Sequence, residues 1–486
     1  MNDKVILLNS NEVVDANPKL LNPDNVQYGE LGVNYHKGTE TISTRNDENG
    51  IAEFVPYSVY DEIVDGIQNE VFYETDEPIG KTGDIWIYKI PPIPFTLEFN
   101  VLADDLSVQL PISGNVNCEV DWGDGRGKEI ITSDRPSHNY SSTGIYTVKI
   151  SGDFERMYHC SHNVTKVISW GNGCTSLNNM YEAFRGCVNL IEMPNDEYES
   201  FINVRSFSYT FNSCSSLVTI PEGLFVNCSN VNSFLHTFSS CSGLTGSIPN
   251  NLFANCPNVT SFDSTFRNCS GLTGIPENLF TNCHNVTTFR TTFSGCSGLT
   301  SIPENLFKSC PNVTNFYGTF SYCTGLISIP EGLFADCSSV TEFNGAFNSC
   351  SSLTGSIPGN LFKSCPNVTN FSSTFSYCSK LTGSIPKDLF VNCTKVTSFS
   401  STFFDCTGLT GEIPNNLFAN CSNVTSFDDT FNHCTSLTGN TPTGTDGLEL
   451  WERAGQPGYP SSINGTACFR FCSKLSNYSS IPSGWK

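Results

Sequence analysis

Cysteine, histidine and carboxylate are the side chains that could do chemistry here, and their spacing decides how much of it is open to them. The chain carries 23 cysteines, seven histidines and 47 acidic residues. A zinc site draws its ligands together in short motifs. Between Cys214 and Cys434, however, neighbouring cysteines stand 13 to 15 residues apart without a close Cys-x-x-Cys pair. Their number is odd and they fall in register with a repeat, so they read as ladders of buried free thiols, cysteine being small and readily buried. In-register residues stacked about 4.8 Å apart are within reach of disulfide geometry, so spacing alone does not exclude bridging. Asp121 and Asp124 in Asp121-Trp122-Gly123-Asp124-Gly125 could hold calcium or act as a carboxylate pair, but the Asp-Gly steps of a tight turn explain both. No phosphate loop, no His-Glu-x-x-His and no Ser/His/Asp constellation is present. A carboxylate pair acting on a polysaccharide leaves no local motif. The chain therefore reads as non-enzymatic, without cofactor or metal.

What positions these residues is a repeat. Its consensus is F-x-x-C-S-G-L-T-x-I-P-E-N-L-F-x-x-C-x-N-V-T-x-F-x-x-T-F, and its Phe-x-x-Cys element ends at Cys187, Cys214, Cys241, Cys269 and onward to Cys434, in steps of 27 or 28 residues. A late copy ends at Cys472. A period of this size means a solenoid, whose units bury their apolar faces only by stacking. Each unit has two similar halves of Thr, Val, Ile and Phe, which predicts two short strands per coil in parallel ladders. Prolines such as Pro249, Pro276 and Pro303 should stop one of them in every copy. Residues 437–486 leave the period and read as a cap, with a short helix at Asp446 to Arg453.

Repetition inside one chain shows which positions refuse to repeat. After each Val-Thr-x-Phe come two variable residues: Leu235-His236, Asp263-Ser264, Arg290-Thr291, Tyr317-Gly318, Asn344-Gly345, Ser372-Ser373, Ser400-Ser401 and Asp428-Asp429. They share one phase and so form a stripe along one face, where a rigid scaffold carries recognition. Positions that nothing constrains also drift. His236, Asp263, Arg290, Tyr317, Asn344 and Asp428 are the candidate ligand-binding residues, with Tyr317, Arg290 and His236 foremost because aromatics and Arg dominate hot spots.

Twenty-five basic against 47 acidic residues give a net charge of −22, which argues against nucleic acid as a partner. No apolar run is long enough to span a membrane, and the first residues form no secretory signal. The Asn-Val-Thr triplets at Asn258, Asn285, Asn312, Asn367 and Asn423 match glycosylation sequons, which carry meaning only on an exported chain.

Ahead of the repeats, Phe95 to Phe99, Val108 to Leu110, Cys118 to Val120 and Tyr146 to Ile150 alternate as in a small β-sandwich. With Trp122-Gly123-Asp124-Gly125, His138-Asn139-Tyr140 and Gly144-Ile145-Tyr146-Thr147-Val148 this segment resembles a PKD-like domain. Followed by F-x-x-C-x-x-L-T repeats, it resembles the BspA-like leucine-rich-repeat surface proteins over roughly residues 94–486. Further upstream, Leu31 to Tyr35 and Thr41 to Thr44 read as a hairpin about His36-Lys37-Gly38, and Ser58-Val59-Tyr60-Asp61 reads as the start of a short helix. The wording Asn22-Pro23-Asp24-Asn25-Val26-Gln27-Tyr28-Gly29-Glu30-Leu31-Gly32-Val33-Asn34-Tyr35, then Glu40-Thr41-Ile42-Ser43-Thr44-Arg45-Asn46, is similar to the N-terminal segment of structural proteins of tailed phages of gut Bacteroidales, crAss-like phages included. There that segment attaches fibres and appendages to the particle.

These readings make a mainly β protein in three parts: an N-terminal attachment region and linker over 1–92, a PKD-like sandwich over 93–157, and a BspA-like solenoid with its cap over 158–486. The phage resemblance implies a head- or tail-fibre protein of the virion, made in the host cytoplasm. It would join other virion proteins through Tyr28, Gly29, Leu31, Val33 and Tyr35. A homo-oligomer, with a trimer favoured, would present the solenoid to a host-surface glycan or protein. A bacterial BspA-like adhesin is the alternative, and it should carry an export signal.

Overall fold

The computed structural model describes residues 92–486 in full and, before them, the backbone of six strands. These are β1 (Val5–Asn9), β2 (Leu31–His36), β3 (Thr39–Arg45), β4 (Ile51–Pro56), β5 (Val71–Tyr73) and β6 (Ile85–Lys89). β2, β3 and β4 form an antiparallel meander, with Leu31 opposite Thr44 and Tyr35 opposite Glu40. The expected hairpin is therefore present. β6 pairs with β1 antiparallel and with β5 parallel. Leu31, Val33 and Tyr35 lie on β2, whereas Tyr28, Gly29 and the helix expected from Ser58 fall outside the described residues. Contacts divide the chain once, between Ile93 and Pro94.

The second unit begins with a five-stranded sheet in the order β11-β10-β13-β7-β15. The strands are β7 (Phe95–Val101), β10 (Asn117–Asp121), β11 (Lys128–Ile131), β13 (Gly144–Asp153) and β15 (Val164–Ser169). Facing it are two short pairs, β8 (Ser107–Gln109) with β12 (Ser137–Asn139) and β9 (Ile112–Ser113) with β14 (Arg156–Met157). On β7 every second residue, Phe95, Leu97, Phe99 and Val101, is buried, the period-two signature of a sheet with one face on a core. β15, which lies wholly beyond residue 157, pairs with β7 and bridges Glu192 of the first coil through Lys166. The sheet thus passes directly into the solenoid.

The coils are made mostly of turns, which corrects the expectation of two strands per coil. One isolated parallel bridge per coil runs in a single column, Ser206–Ser233–Ser261–Thr288–Asn315–Glu342–Asn370–Ser398–Ser426–Asn464. On the opposite side only β16 (Gly246–Ser247) with β17 (Leu272–Gly274), and β18 (Gly411–Glu412) with β19 (Leu437–Thr438), reach strand length. Backbone chirality is one reason. Two residues in every coil, such as Thr291 and Gly295, sit at positive φ (51° and 77°), which interrupts the run of extended residues that a longer strand needs.

The core explains the repeat. Three files of phenylalanine run the length of the stack. In one, rings from Phe207 to Phe427 stack with centroids such as Phe289–Phe316 at 5.9 Å and 7°. In the second, Phe184 to Phe469 do the same, with Phe293–Phe320 at 5.6 Å. Phe225 to Phe418 form the third and tilt against the first, as in Phe307–Phe316 at 4.7 Å. Offset-stacked and tilted rings are the arrangements that aromatic quadrupoles favour. Beside them Cys296 Sγ donates to the Phe266 carbonyl at 3.0 Å and Cys323 Sγ to that of Phe293 at 3.1 Å, and the same bond recurs along the file. All the cysteines are free thiols, and all but the half-buried Cys174 are buried. Buried threonines form a parallel file: Thr319 Oγ1 lies 3.0 Å from the Phe289 carbonyl of the preceding coil.

At the C-terminal end the first file breaks. Gly465 stands where the next phenylalanine would be, and the Trp485 indole occupies that space, so that even a Cβ at Gly465 would collide with its ring. Trp485 lies 6.4 Å from Phe427 and 6.0 Å from Trp451, closing the stack. The helix expected at residues 446–453 is only one 3-10 turn, Leu450–Glu452, because Gly447 takes φ 77° and breaks the chain away from helical geometry.

Candidate functional site

The variable stripe is built by one eight-residue stretch per coil. In Phe289 to Cys296 every second N–H points to the next coil: Phe289 to the Asn315 carbonyl (3.0 Å), Thr291 to Tyr317 (2.8 Å), Phe293 to Thr319 (2.9 Å) and Gly295 to Ser321 (2.7 Å). The intervening N–H groups close local turns, Thr292 to Phe289, Ser294 to Thr291 and Cys296 to Phe293. With the Arg290 N–H bonded to Asp263 Oδ1 of the preceding coil, all the donors are satisfied without a strand. Phe289, Thr292, Phe293 and Cys296 are buried. Two pairs line the edge: an outer pair before the threonine, here Arg290-Thr291, and a second before the cysteine, here Ser294-Gly295, of which Ser294 is buried.

The second member of the first pair is always left-handed, from Thr291 at 51° to Gly345 at 63°. This half of the stripe is therefore constrained, and its run of Ser, Gly, Asp and His has a backbone cause. The first member faces a different constraint. Asp263 Oδ1 accepts from Thr288 Oγ1 (2.6 Å) and from the Arg290 N–H (3.0 Å) of the next coil. Asp428 Oδ1 accepts from the Thr466 N–H (2.9 Å), and its Oδ2 from Asn464 Nδ2 (2.6 Å). At the same position Ser372 and Ser400 bond the serine of the following coil. Asp263 and Asp428 thus tie coil to coil. Asn344 is half-buried in this file. Arg290 and Tyr317 are exposed on neighbouring coils, with the guanidinium 4.7 Å above the ring.

His236 belongs to a larger cluster that the variable pairs did not reveal. Its imidazole stacks on Tyr209 at 4.6 Å and 14°, and Tyr209 meets Tyr181 at 5.9 Å and Tyr181 meets Tyr158 at 6.4 Å. Arg185 lies over Tyr209 (5.6 Å) and Arg135 over Tyr158 (5.7 Å). Burial, with the guanidiniums of Arg267 and Arg185 nearby, holds the His236 imidazole below its usual pKa. Glu182 sits beneath the cluster, bonded to His159 Nε2 at 3.0 Å and to Arg185. Burial opposes its charge, but those two bonds outweigh burial and keep its pKa below the usual value. Tyr209 and Glu182 occupy the same left-handed position as His236, at 59° and 56°. Extending that column two coils upstream would have found them.

In the sandwich the turn reading of the aspartates holds. Asp121 Oδ1 accepts from the Gly123 N–H at 2.9 Å, and Asp124 accepts from the Arg126 N–H and from His138 Nε2 at 2.9 Å. His138 is stacked on Trp122 at 4.8 Å. Among the described residues no group of three or more His, Cys, Asp or Glu could hold a metal ion. The sequon asparagines also serve the stack: Asn285 Nδ2 donates to the Pro257 carbonyl at 3.0 Å and Asn312 Nδ2 to that of His284 at 2.9 Å.

Residues 155–287 match, in six copies, the family described as the BspA type leucine rich repeat region. These coils are similar to BspA-type repeats. The later coils, residues 314–443, match a second family, described as a Mycoplasma protein of unknown function, DUF285. Among solved structures the chain is similar to a leucine rich cell surface protein from Faecalibacterium prausnitzii A2-165. The identity is 17%, over 86% of this chain and 96% of that one, with a TM-score of 0.24. No curated protein matches the chain. No described helix is long and apolar enough to cross a membrane.

Proposed function

We propose that this protein is a non-catalytic adhesive scaffold, which holds a rigid BspA-type solenoid against a host-surface glycan or protein and binds it with the lateral edge. The observation that carries this reading is the exposed Arg290–Tyr317 pair, in line with the Tyr158–Tyr181–Tyr209–His236 row. Stacked aromatics and arginines on a preorganised surface lose little entropy on binding. Catalysis has little support there, because Asp263 and Asp428 of the edge are held as acceptors by the following coil.

The placement we favour is a phage particle. The N-terminal unit would attach to other virion proteins as an oligomer, a trimer by preference, and the PKD-like sandwich would act as spacer. This rests on the wording from Asn22 to Asn46. The BspA-type repeats favour a second placement, on a bacterial surface. Serum raised against the solenoid, applied to purified phage particles and to bacterial cells under the electron microscope, separates the two. Label at a fixed place on the particle supports the virion placement, whereas bare particles beside labelled cells overturn it.

A further inference from the structure

The edge carries a second file of aromatic residues, at the left-handed position before the cysteine. Tyr322, Tyr377 and Phe471 sit there at φ 59°, 61° and 64° and are 58%, 48% and 45% exposed. A bulky side chain at positive φ is strained, and the coil has no need of one, since Ser213, Ser240, Gly295 and Ser349 hold the same place elsewhere. Strain of this kind persists where something other than folding is served.

From Tyr377 onward the rings form a continuous row. Tyr377 meets Phe404 at 5.1 Å, Phe404 meets His433 at 5.9 Å, and His433 meets Phe471 at 4.2 Å. Towards the N-terminal coils the aromatics occupy the first outer pair instead, from Tyr181 to Tyr317. One coil, Phe316 to Cys323, carries both Tyr317 and Tyr322 exposed, so the row crosses from one pair to the other within that coil. Arginines follow it. From residue 158 onward Arg185, Arg267, Arg290 and Arg470 are all on these two pairs, Arg453 is buried, and only Arg205 is exposed elsewhere. No lysine occupies either pair. Arg470 lies 4.9 Å over the Phe471 ring, as Arg185 and Arg290 lie over theirs.

We infer that this edge is a rail for one extended polysaccharide chain, laid along the stacking axis with its pyranose rings on the aromatic faces and its oxygen substituents on the arginines. The inference rests on the adhesive reading and names its ligand class. Aromatic faces attract the C–H faces of sugar rings through their quadrupole, and a planar guanidinium stacked on a ring keeps its N–H edge free to bond oxygen. The row is one side chain wide, while a stable protein partner needs a broad patch of about 800 Å². In-register rings of neighbouring coils lie 5.6 to 5.9 Å apart, on the order of the length of one pyranose unit, so a polymer laid along the axis can keep step with the coils.

Affinity electrophoresis of the full chain through gels containing a neutral glucan, a mannan or a uronate polymer tests this, alongside binding to bacterial cells. At least one polymer should retard the protein, and its oligosaccharides should bind more tightly as they lengthen. A variant with Tyr377→Gly, Phe404→Ser and Phe471→Gly should bind at least about tenfold more weakly. Its glycines suit the positive φ, so an unchanged unfolding midpoint is expected. A variant with Tyr181→Ala, Tyr209→Ala and Tyr317→Ala should lose a similar factor. Retardation equal to that of the unaltered protein in either variant overturns the rail. A protein that adheres to cells yet is retarded by no polymer overturns the polysaccharide and leaves adhesion standing, while failure to adhere to cells overturns both.

Discussion

The Arg290 guanidinium lies 4.7 Å above the ring of Tyr317, one coil further along the stack. The two are 27 residues apart in sequence, and the inter-coil bond from the Thr291 N–H to the Tyr317 carbonyl brings them together. A cation over an exposed ring contributes about 0.5–1 kcal/mol, too little for the fold to depend on it.

Replacing Arg290 and Tyr317 by Ala should therefore leave the unfolding midpoint unchanged and weaken adhesion to cells by roughly tenfold, consistent with hot-spot truncation. In a double-mutant cycle the two losses should be less than additive, because either change removes the pair. Unaltered adhesion of the double variant would take this pair out of the binding edge.

The thiol files predict alkaline lability. Burial pushes Cys241, Cys296 and Cys378 from an ordinary 9.0 up to about 12. The folded state thus holds protons that the unfolded state gives up. Their stabilisation is complete below the ordinary value and is lost as pH rises from about 9 to about 12. A urea midpoint that falls steeply over that range is expected, and one that stays flat contradicts it. At neutral pH the folded protein should react with few thiol reagents, since only a thiolate attacks.

Gly465→Ala should destabilise the cap by about 1–3 kcal/mol, the cost of forcing a group into an occupied space. The nearest atoms the added Cβ meets are those of the Trp485 ring. Tryptophan fluorescence should shift to the red before the main transition, and a single transition at the unaltered midpoint would show that the indole is not the closure.

Removing residues 1–93 should leave a chain that folds with an unchanged midpoint, since the contacts of residues 94–486 form a unit of their own. That chain should still adhere to cells. Under the virion placement it should no longer be incorporated into particles, and its incorporation would argue against attachment through the first unit.

Much of this was legible in the residues. The period, the alternation on β7, the burial of the cysteines and the turn role of Asp121 and Asp124 follow from local pattern. The turns of each coil are not legible in this way, because Thr, Val and Phe favour extension while the left-handed residues between them are often Ser, Thr or Tyr, types that do not announce positive φ. Tyr209 and Tyr181 were missed for a related reason: the first coils depart from the consensus, and their column appears only when backbone conformation aligns them.

The sequence by itself determined that the chain stacks, because an apolar pattern of fixed period can be buried only against its own copies. Which outward residues meet was decided by tertiary structure alone. Arg290 reaches Tyr317, and Tyr377 reaches Phe404, only because alternate N–H groups bond across coils and set neighbouring copies one coil apart. Sequence separation carries no trace of that distance, and it is the distance that turns scattered aromatics into a row.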